Sequence, residues 1–458
     1  MTPIAPSPKG RHSGGLTPGD APPVARGTEL RYPTTAPERV LLMATIAVLP
    51  MQQLLPIVGG ISSLYIVFAV VAAYLLLNRP RALARTWLHP VFLAAYTLLA
   101  VSALIELAHP LSDYSEIFRL GEMVAGAIFV ASLCRDRPAL RAGIYGYLIA
   151  GVWLSVTLFS NSYGVLRHAT ANNFYEASKI RAQAIIEDNP LATNPNTMAF
   201  IAAQGAVVAL ALALTARSPY RRVLFLGVVL FCSVSAFLPM SRSGIITLGV
   251  CCAIVLFAHG IDVRTVGLAA VLGVCVLMWV PQAALTRFDF GGQSYEGKVV
   301  DGRARVYTAA VEHLPEYVVT GVGAGTFNEW WGYKNGWRNR LHTVTGAHNC
   351  FIQVTIYWGL AALVALLAVV YQAYYCMPKR CGVDTLSLCL LGIAVSLVFL
   401  ASVSHRFHGK EFSLGLGLLV GARYWIWPRG IVPVGAQKHW RFSPLRKPAR
   451  RAVAFAAR

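Results

Sequence analysis

Apolar runs of membrane-spanning length recur along this 458-residue chain, and no other feature limits its possible folds as tightly. A helix needs about 20 apolar residues to cross the hydrocarbon layer of a bilayer. Inside that layer no water satisfies the backbone N–H and C=O groups, so only helices or closed barrels can span it. The runs here are continuous rather than alternating with period two, which excludes the barrel. Composition agrees: charged residues make up 13% of the chain, against about 25% in a soluble domain. The sequence therefore predicts an all-α, polytopic integral membrane protein with about 12 transmembrane helices. Spans are expected near 40–56, 58–77, 91–107, 118–134, 143–160, 197–215, 222–239, 244–258, 265–283, 351–371, 385–402 and 412–427.

The formal net charge of +20 would suit nucleic acid if the cations formed one surface. They instead come in short clusters between apolar runs, as membrane topology requires, and nucleic-acid binding is a poor reading. With the N-terminus inside, Arg79, Arg81 and Arg85 share a side with Arg135, Arg137 and Arg141. Arg217, Arg221, Arg222, Lys379, Arg380 and the basic residues from Arg441 to Arg451 fall there too. The expected organisation is a disordered cytoplasmic tail (1–37), a transmembrane domain (38–427) whose largest outer loop is 284–349, and a basic cytoplasmic tail (428–458). Nothing near the N-terminus resembles a cleaved signal peptide. The cysteines lie mostly in or beside apolar runs and read as small hydrophobes, with no zinc-site spacing.

Ionisable groups within a membrane are costly and usually have a reason. Almost every span lacks acids at its middle, Glu122 being the clearest exception, which counts against an ion-coupled carrier. The outer side is richer. The turn Leu238–Gly244 presents Arg242 almost at a helix start, with no acid close in sequence. A guanidinium beside free helix N–H groups suits phosphate or pyrophosphate. Arg167, Lys179, Arg181, Arg287, Arg303 and Arg305 share that compartment; lipid headgroups or pairing with Asp289, Glu296 or Glu312 explain any one of them equally well. A helix from Gly302 to Leu314, with Asp301 as N-cap, should lay Val306, Tyr307, Ala310, Val311 and Leu314 along the membrane surface. Asn194 and Pro195 are suited to begin one span as N-cap and first helical residue. Thr345–Asn349 precedes another, and His348 there is a usable base, since an unperturbed imidazole titrates near about 6.5. The run Gly321–Gly325 lacks the dinucleotide fingerprint and reads as a turn or a close backbone approach.

Together these segments resemble the O-antigen ligase and polymerase superfamily of bacterial envelope glycosyltransferases. The resemblance runs from Asn194-Pro195-Asn196 through Ser241-Arg242-Ser243-Gly244, Gly302-Arg303-Ala304-Arg305-Val306-Tyr307, Leu314-Pro315 and Gly321–Gly325 to Ala347-His348-Asn349 and Gly359-Leu360. Tyr307 stands where the family frequently has Trp. The resemblance implies a glycan on undecaprenyl pyrophosphate as donor and lipid A–core oligosaccharide as acceptor, in a multi-pass protein of the inner membrane with a periplasmic site. His348 would be the general base; Arg242 and Arg303 would hold the diphosphate, leaving no role for a metal or other cofactor. Arg305, Asn196, Asn349 and Tyr307 would bind substrate. The ligase reading leads because the outer loop is modest. A polymerase, a protein O-oligosaccharyltransferase and a lipid-linked oligosaccharide flippase remain as alternatives.

Overall fold

The computed structural model describes residues 33–51, 63–109, 114–187, 194–287, 294–295, 298–299, 302–335, 346–378, 384–403 and 409–427. The expectations for most of the N-terminal tail, for the C-terminal tail, and for Asp289, Glu296 and Asp301 fall outside these residues. The described residues from Thr34 onward form one compact unit. Its helices are α1 (Ala36–Ala47), α2 (Ser63–Asn78), α3 (Pro80–Trp87), α4 (Pro90–Ala108), α5 (Ser115–Leu133) and α6 (Arg137–Leu158). There follow α7 (Gly164–His168), α8 (Phe174–Arg181), α9 (Pro195–Thr215), α10 (Pro219–Phe237), α11 (Arg242–His259), α12 (Val263–Trp279) and α13 (Gln282–Thr286). The chain continues through α14 (Gly302–Glu312), α15 (Leu314–Tyr317), α16 (Ala324–Asn335), α17 (Cys350–Cys376), α18 (Thr385–Val403) and α19 (Lys410–Gly421). Among the described residues, strand is confined to a two-residue antiparallel pair, Ser294–Tyr295 with Lys298–Val299.

The fold is thus the all-helical membrane architecture that the sequence predicts. Each of the twelve expected spans contains helix, but among the described residues only seven helices are long and apolar enough to cross a membrane, or eight if the bent pair α2–α3 is one span. Helices α1, α12 and α19 are shorter, and α5 carries Glu116, Arg119 and Glu122. Twelve crossings are therefore not established. Helix α1 also begins at Ala36, inside the segment expected to be tail, because Thr35 and Glu38 form a reciprocal capping box ahead of the apolar run. The segment from Arg79 to Arg85, expected as loop, is mostly α3. It turns by 109° from α2 and buries Ala82, Leu83 and Thr86 while Arg81 and Arg85 stay exposed.

Two of the expected topology-setting arginines are committed to a buried ion cluster. Fully buried Glu38 accepts from Arg79 Nε at 2.8 Å, Arg135 Nη2 at 2.7 Å and its own cap, Thr35 N, at 2.6 Å. Asp136 beside it accepts from Thr34 N at 2.8 Å and caps α6 through Ala139 N at 2.8 Å. Arg137 pairs with Asp384, the residue that caps α18. These contacts join the starts of α1, α6 and α18 to the ends of α2 and α5. Central to the bundle is α9, whose interior is almost wholly buried against α6, α10, α11 and α18. Gly151 of α6 and Gly205 of α9 meet backbone to backbone, and Gln204 donates to Ser396 of α18 at 2.9 Å.

Helix α17 breaks at Gly359 (φ 70°, ψ −166°), a conformation open essentially only to glycine. The Gly-rich run lies along this break as a backbone patch. Val322 N donates to Ile356 O at 2.8 Å, Gly323 N to Tyr357 O at 2.9 Å, and Leu360 N to Val318 O at 2.6 Å. A Cβ at Gly359 would collide with the Val319 carbonyl as well as impose that backbone strain. Gly359→Ala is therefore expected to cost about 1–3 kcal/mol from strain alone. A fall in the thermal midpoint of the detergent-solubilised protein measures it; an unchanged midpoint would mean the break is not required.

Candidate functional site at one end of the bundle

The turn between α10 and α11 is held from three directions. Met240 adopts a left-handed conformation (φ 51°) and closes the turn through its N–H to Phe237 O at 2.8 Å. Arg181 donates to Pro239 O at 2.9 Å, and Arg287 to Met240 O at 2.7 Å. Two of the outer cations noted in the sequence thus donate to backbone carbonyls of this turn. Ser241 N-caps α11 by accepting from Gly244 N at 3.3 Å, and donates to Asn196 Oδ1 at 2.8 Å. Arg181 Nη2 also reaches Asn196 Oδ1, at 3.4 Å. Asn194 caps α9 by accepting from Asn196 N at 2.9 Å. Gly244 lets the first turn of α11 touch α9, because a Cβ there would collide with Ala199. Each member of Ser241-Arg242-Ser243-Gly244 other than Arg242 is buried, while Arg242 is partly exposed at the first helical position.

Next to this turn, α10, α11 and α12 line a half-open apolar cavity of about 350 Å³. It runs from Phe237 and Ile245, next to the turn, past Leu248 and Leu272 to Leu256 and Leu268 deeper in the bundle.

The second half of the site is the turn that leads into α17. His348 is partly exposed and left-handed (φ 53°), a region where non-glycine residues are uncommon but His is enriched. Both neighbours are clamped. Ala347 N donates to the buried Gln353 Oε1 at 2.7 Å. Asn349 caps α17 by accepting from Phe351 N at 2.9 Å and Ile352 N at 3.2 Å, and donates to Ser402 O at the end of α18 at 3.1 Å. Among the described residues Met240 and His348 are the two non-glycine positions with positive φ. Strained backbone of this kind persists where surrounding contacts over-determine it, and it clusters at functional sites.

Helix α14, which carries Arg303 and Arg305, packs beside the His348 turn. Its Val306, Ala309 and Ala310 form a small core with Tyr317, Phe327, Trp331, Ile356 and Ala347, with Tyr307 against it. This corrects the expected surface helix: Val306 and Ala310 are buried within the protein, and only Val311 and Leu314 of the expected face are exposed. The side chains of Arg303 and Arg305 lie outside the described residues. The two halves meet the same end of the bundle through α18, which packs on α9 and α11 and is tied to Asn349. Asn196 and Asn349 fall within the halves, but as a bridge to Ser241 and as a helix cap.

Glu106 carries no signal in the sequence, since an acid near a helix end is unremarkable. Fully buried at the end of α4, it accepts from Ala324 N at 2.9 Å, Gly325 N at 3.2 Å and Trp358 Nε1 at 3.0 Å. The anion at the Gly-rich N-terminus of α16 is therefore an internal carboxylate, which agrees with the close-approach reading of that run. Glu122, the exception noted in the sequence, accepts from Tyr65 Oη at 2.8 Å, and Lys410 sits 4.2 Å from the centre of the Tyr65 ring.

Residues 227–367, from within α10 to the middle of α17, match the family model described as O-antigen ligase. The match supports membership of the O-antigen ligase superfamily. The matched segment contains the Arg242 turn, α14, the Gly-rich patch and the His348 turn; Asn194 to Asn196 lie upstream of it. No curated protein matches the chain. The match and the apolar helices support a multi-pass membrane protein that is an enzyme in general.

Proposed function

We propose that this protein is an O-antigen ligase of the inner membrane. It transfers a glycan from undecaprenyl pyrophosphate to lipid A–core oligosaccharide at the periplasmic face. The observation that carries the reading is the position of the Arg242 helix start one turn before Ile245, which lines an apolar cavity. That combination suits a donor with a diphosphate head and a long apolar tail. Helix N–H groups and a guanidinium favour the head, and the cavity removes part of the tail from water or bulk lipid.

In this reading His348 takes the proton of an acceptor hydroxyl as its oxygen attacks the anomeric carbon. The bond from that carbon to the diphosphate oxygen breaks, and Arg242 and Arg303 stabilise the departing charge. A single displacement of this kind inverts the anomeric centre. Asn196 and Asn349 act through the backbone they fix, holding the two turns in place. Tyr307 and Arg305 bind substrate from the helix beside His348. No metal is needed, because paired guanidinium groups neutralise the diphosphate.

Deletion of the protein is expected to leave intact lipid A–core without long chains, while lipid-linked polymer still accumulates. Purified protein should transfer the glycan at full rate in excess chelator. Loss of polymer itself would instead indicate a polymerase, and strict dependence on added magnesium or manganese would remove the arginine-only account. A flippase would yield no transfer product from purified components.

A further inference from the structure

The small outer core presents a face that the reaction described above does not use. Trp331 is fully buried in the cluster that includes Ala347, next to His348. Trp330 stacks on it with ring centres 5.9 Å apart at 25°. Trp330 is partly exposed, and Tyr333, one turn further along α16, is 84% exposed. Polar groups rim these rings. Glu316 accepts from Trp330 Nε1 at 3.2 Å and Lys334 Nζ at 3.0 Å, and lies 2.8 Å from His313 Nδ1. His313 adjoins Glu312 in the chain, yet its carboxylate partner in the fold is Glu316. Lys334 and His313, in that order, together with the Trp330 N–H, hold the Glu316 carboxyl below the usual carboxylate range, so it is an acceptor at neutral pH.

We propose that this face of α16 is a glycan subsite that seats a pyranose ring of the donor or acceptor saccharide. The proposal rests on the glycosyl-transfer reading above. A pyranose has one or two faces of weakly positive C–H bonds, which match the negative face of an aromatic ring. Its equatorial hydroxyls need charged or amide partners at the ring edge, and Glu316, Lys334 and His313 supply both donors and acceptors there. Aromatic rings and a lysine also occur at membrane interfaces. Two features favour sugar over lipid headgroups. Glu316 and the exposed Glu329, one turn from Tyr333, place carboxylates beside the rings, which an anionic lipid surface repels. Trp330 is also fixed by its indole bond and by Trp331 rather than left to slide at an interface. The face is joined through Trp331 and Ala347 to the turn that carries His348, so a ring seated there belongs to a chain passing the proposed base.

The test uses the full-length protein in nanodiscs. Free core oligosaccharide, released from lipopolysaccharide by mild acid, and free O-antigen oligosaccharide are each titrated while saturation transfer to the sugar protons is recorded. Tyr333→Ala is expected to weaken binding of one of them by about three- to tenfold, and Tyr333→Phe to retain it, because the ring is kept. The saccharide affected assigns the subsite to acceptor or donor. In transfer assays the same variant should raise the KM for that substrate and leave kcat nearly unchanged. Absence of saccharide binding to the native protein, or equal binding by Tyr333→Ala as a merely interfacial ring would give, overturns the proposal. If purified protein forms no product yet binds saccharide through Tyr333, the transfer reading fails and the subsite stands. If transfer is robust with an unchanged KM, only the subsite falls.

Discussion

Replacing His348 with alanine is expected to lower turnover by about 10²- to 10⁴-fold, the usual contribution of a positioned general base. Binding of the lipid-linked donor should survive, because the anion-holding groups lie on other elements. The left-handed backbone at this position raises a second effect that must be separated from the first. Alanine is less tolerant of positive φ than histidine, so the variant also loses some local stability. His348→Asn is the useful control, since asparagine accepts the left-handed region but cannot take the proton. If turnover falls equally in the Ala and Asn variants, while donor affinity and thermal midpoint hold for Asn, the loss is chemical. A His348→Asn or His348→Gln protein that turns over at the native rate removes the base from the mechanism. In the native protein activity should decline as pH falls through the titration of the base, and the variants should lack that acid limb.

Replacing Arg242 with alanine is expected to cost about 1.5–3 kcal/mol, the worth of a hydrogen bond to a charged group, or roughly one to two decades of rate or donor affinity. The turn itself should persist. Its geometry rests on Met240, on the Ser241 cap, and on Arg181 and Arg287 bound to the preceding carbonyls. A loss of activity without a loss of fold is thus the diagnostic combination. Lysine should rescue poorly, since one ammonium cannot make the bidentate contact that a guanidinium makes to phosphate. Transfer assays with graded donor, paired with thermal midpoints, measure both sides. Near-native activity in Arg242→Ala would leave the helix N–H groups as the only support for an anion at this turn.

Much of the site is legible in the sequence because its parts are local. A cap, a proline at the first helical position and a glycine at a close approach are properties of adjacent residues. Asn194, Pro195, Ser241 and Gly244 therefore mark helix starts within a few residues of chain. The roles of Glu106, Gln353 and Arg181 are not legible in this way. Ala324 and Pro239, the partners of Glu106 and Arg181, are distant in the chain, Ala347 meets Gln353 only across the turn before α17, and no local pattern distinguishes these side chains from ordinary polar residues. The surface helix expected at Gly302 fails for the same reason. Its apolar face is real, but a stripe of that kind does not say whether lipid or protein will cover it. Phe327 and Trp331 cover Val306 and Ala310.

The sequence by itself determined the solvent, the helical class and the order of the motif-bearing segments. Hydrocarbon admits no unsatisfied backbone, and apolar runs of this length leave helix as the only local solution. Tertiary structure decided which partner each cation meets. Arg79 and Arg135 close on Glu38, Arg181 and Arg287 close on a turn, and Arg242 stands at a helix start next to an apolar cavity. That choice of partner depends on which groups come within about 3 Å across the bundle. It arises from packing among residues far apart in the chain, which hydropathy and charge count do not encode.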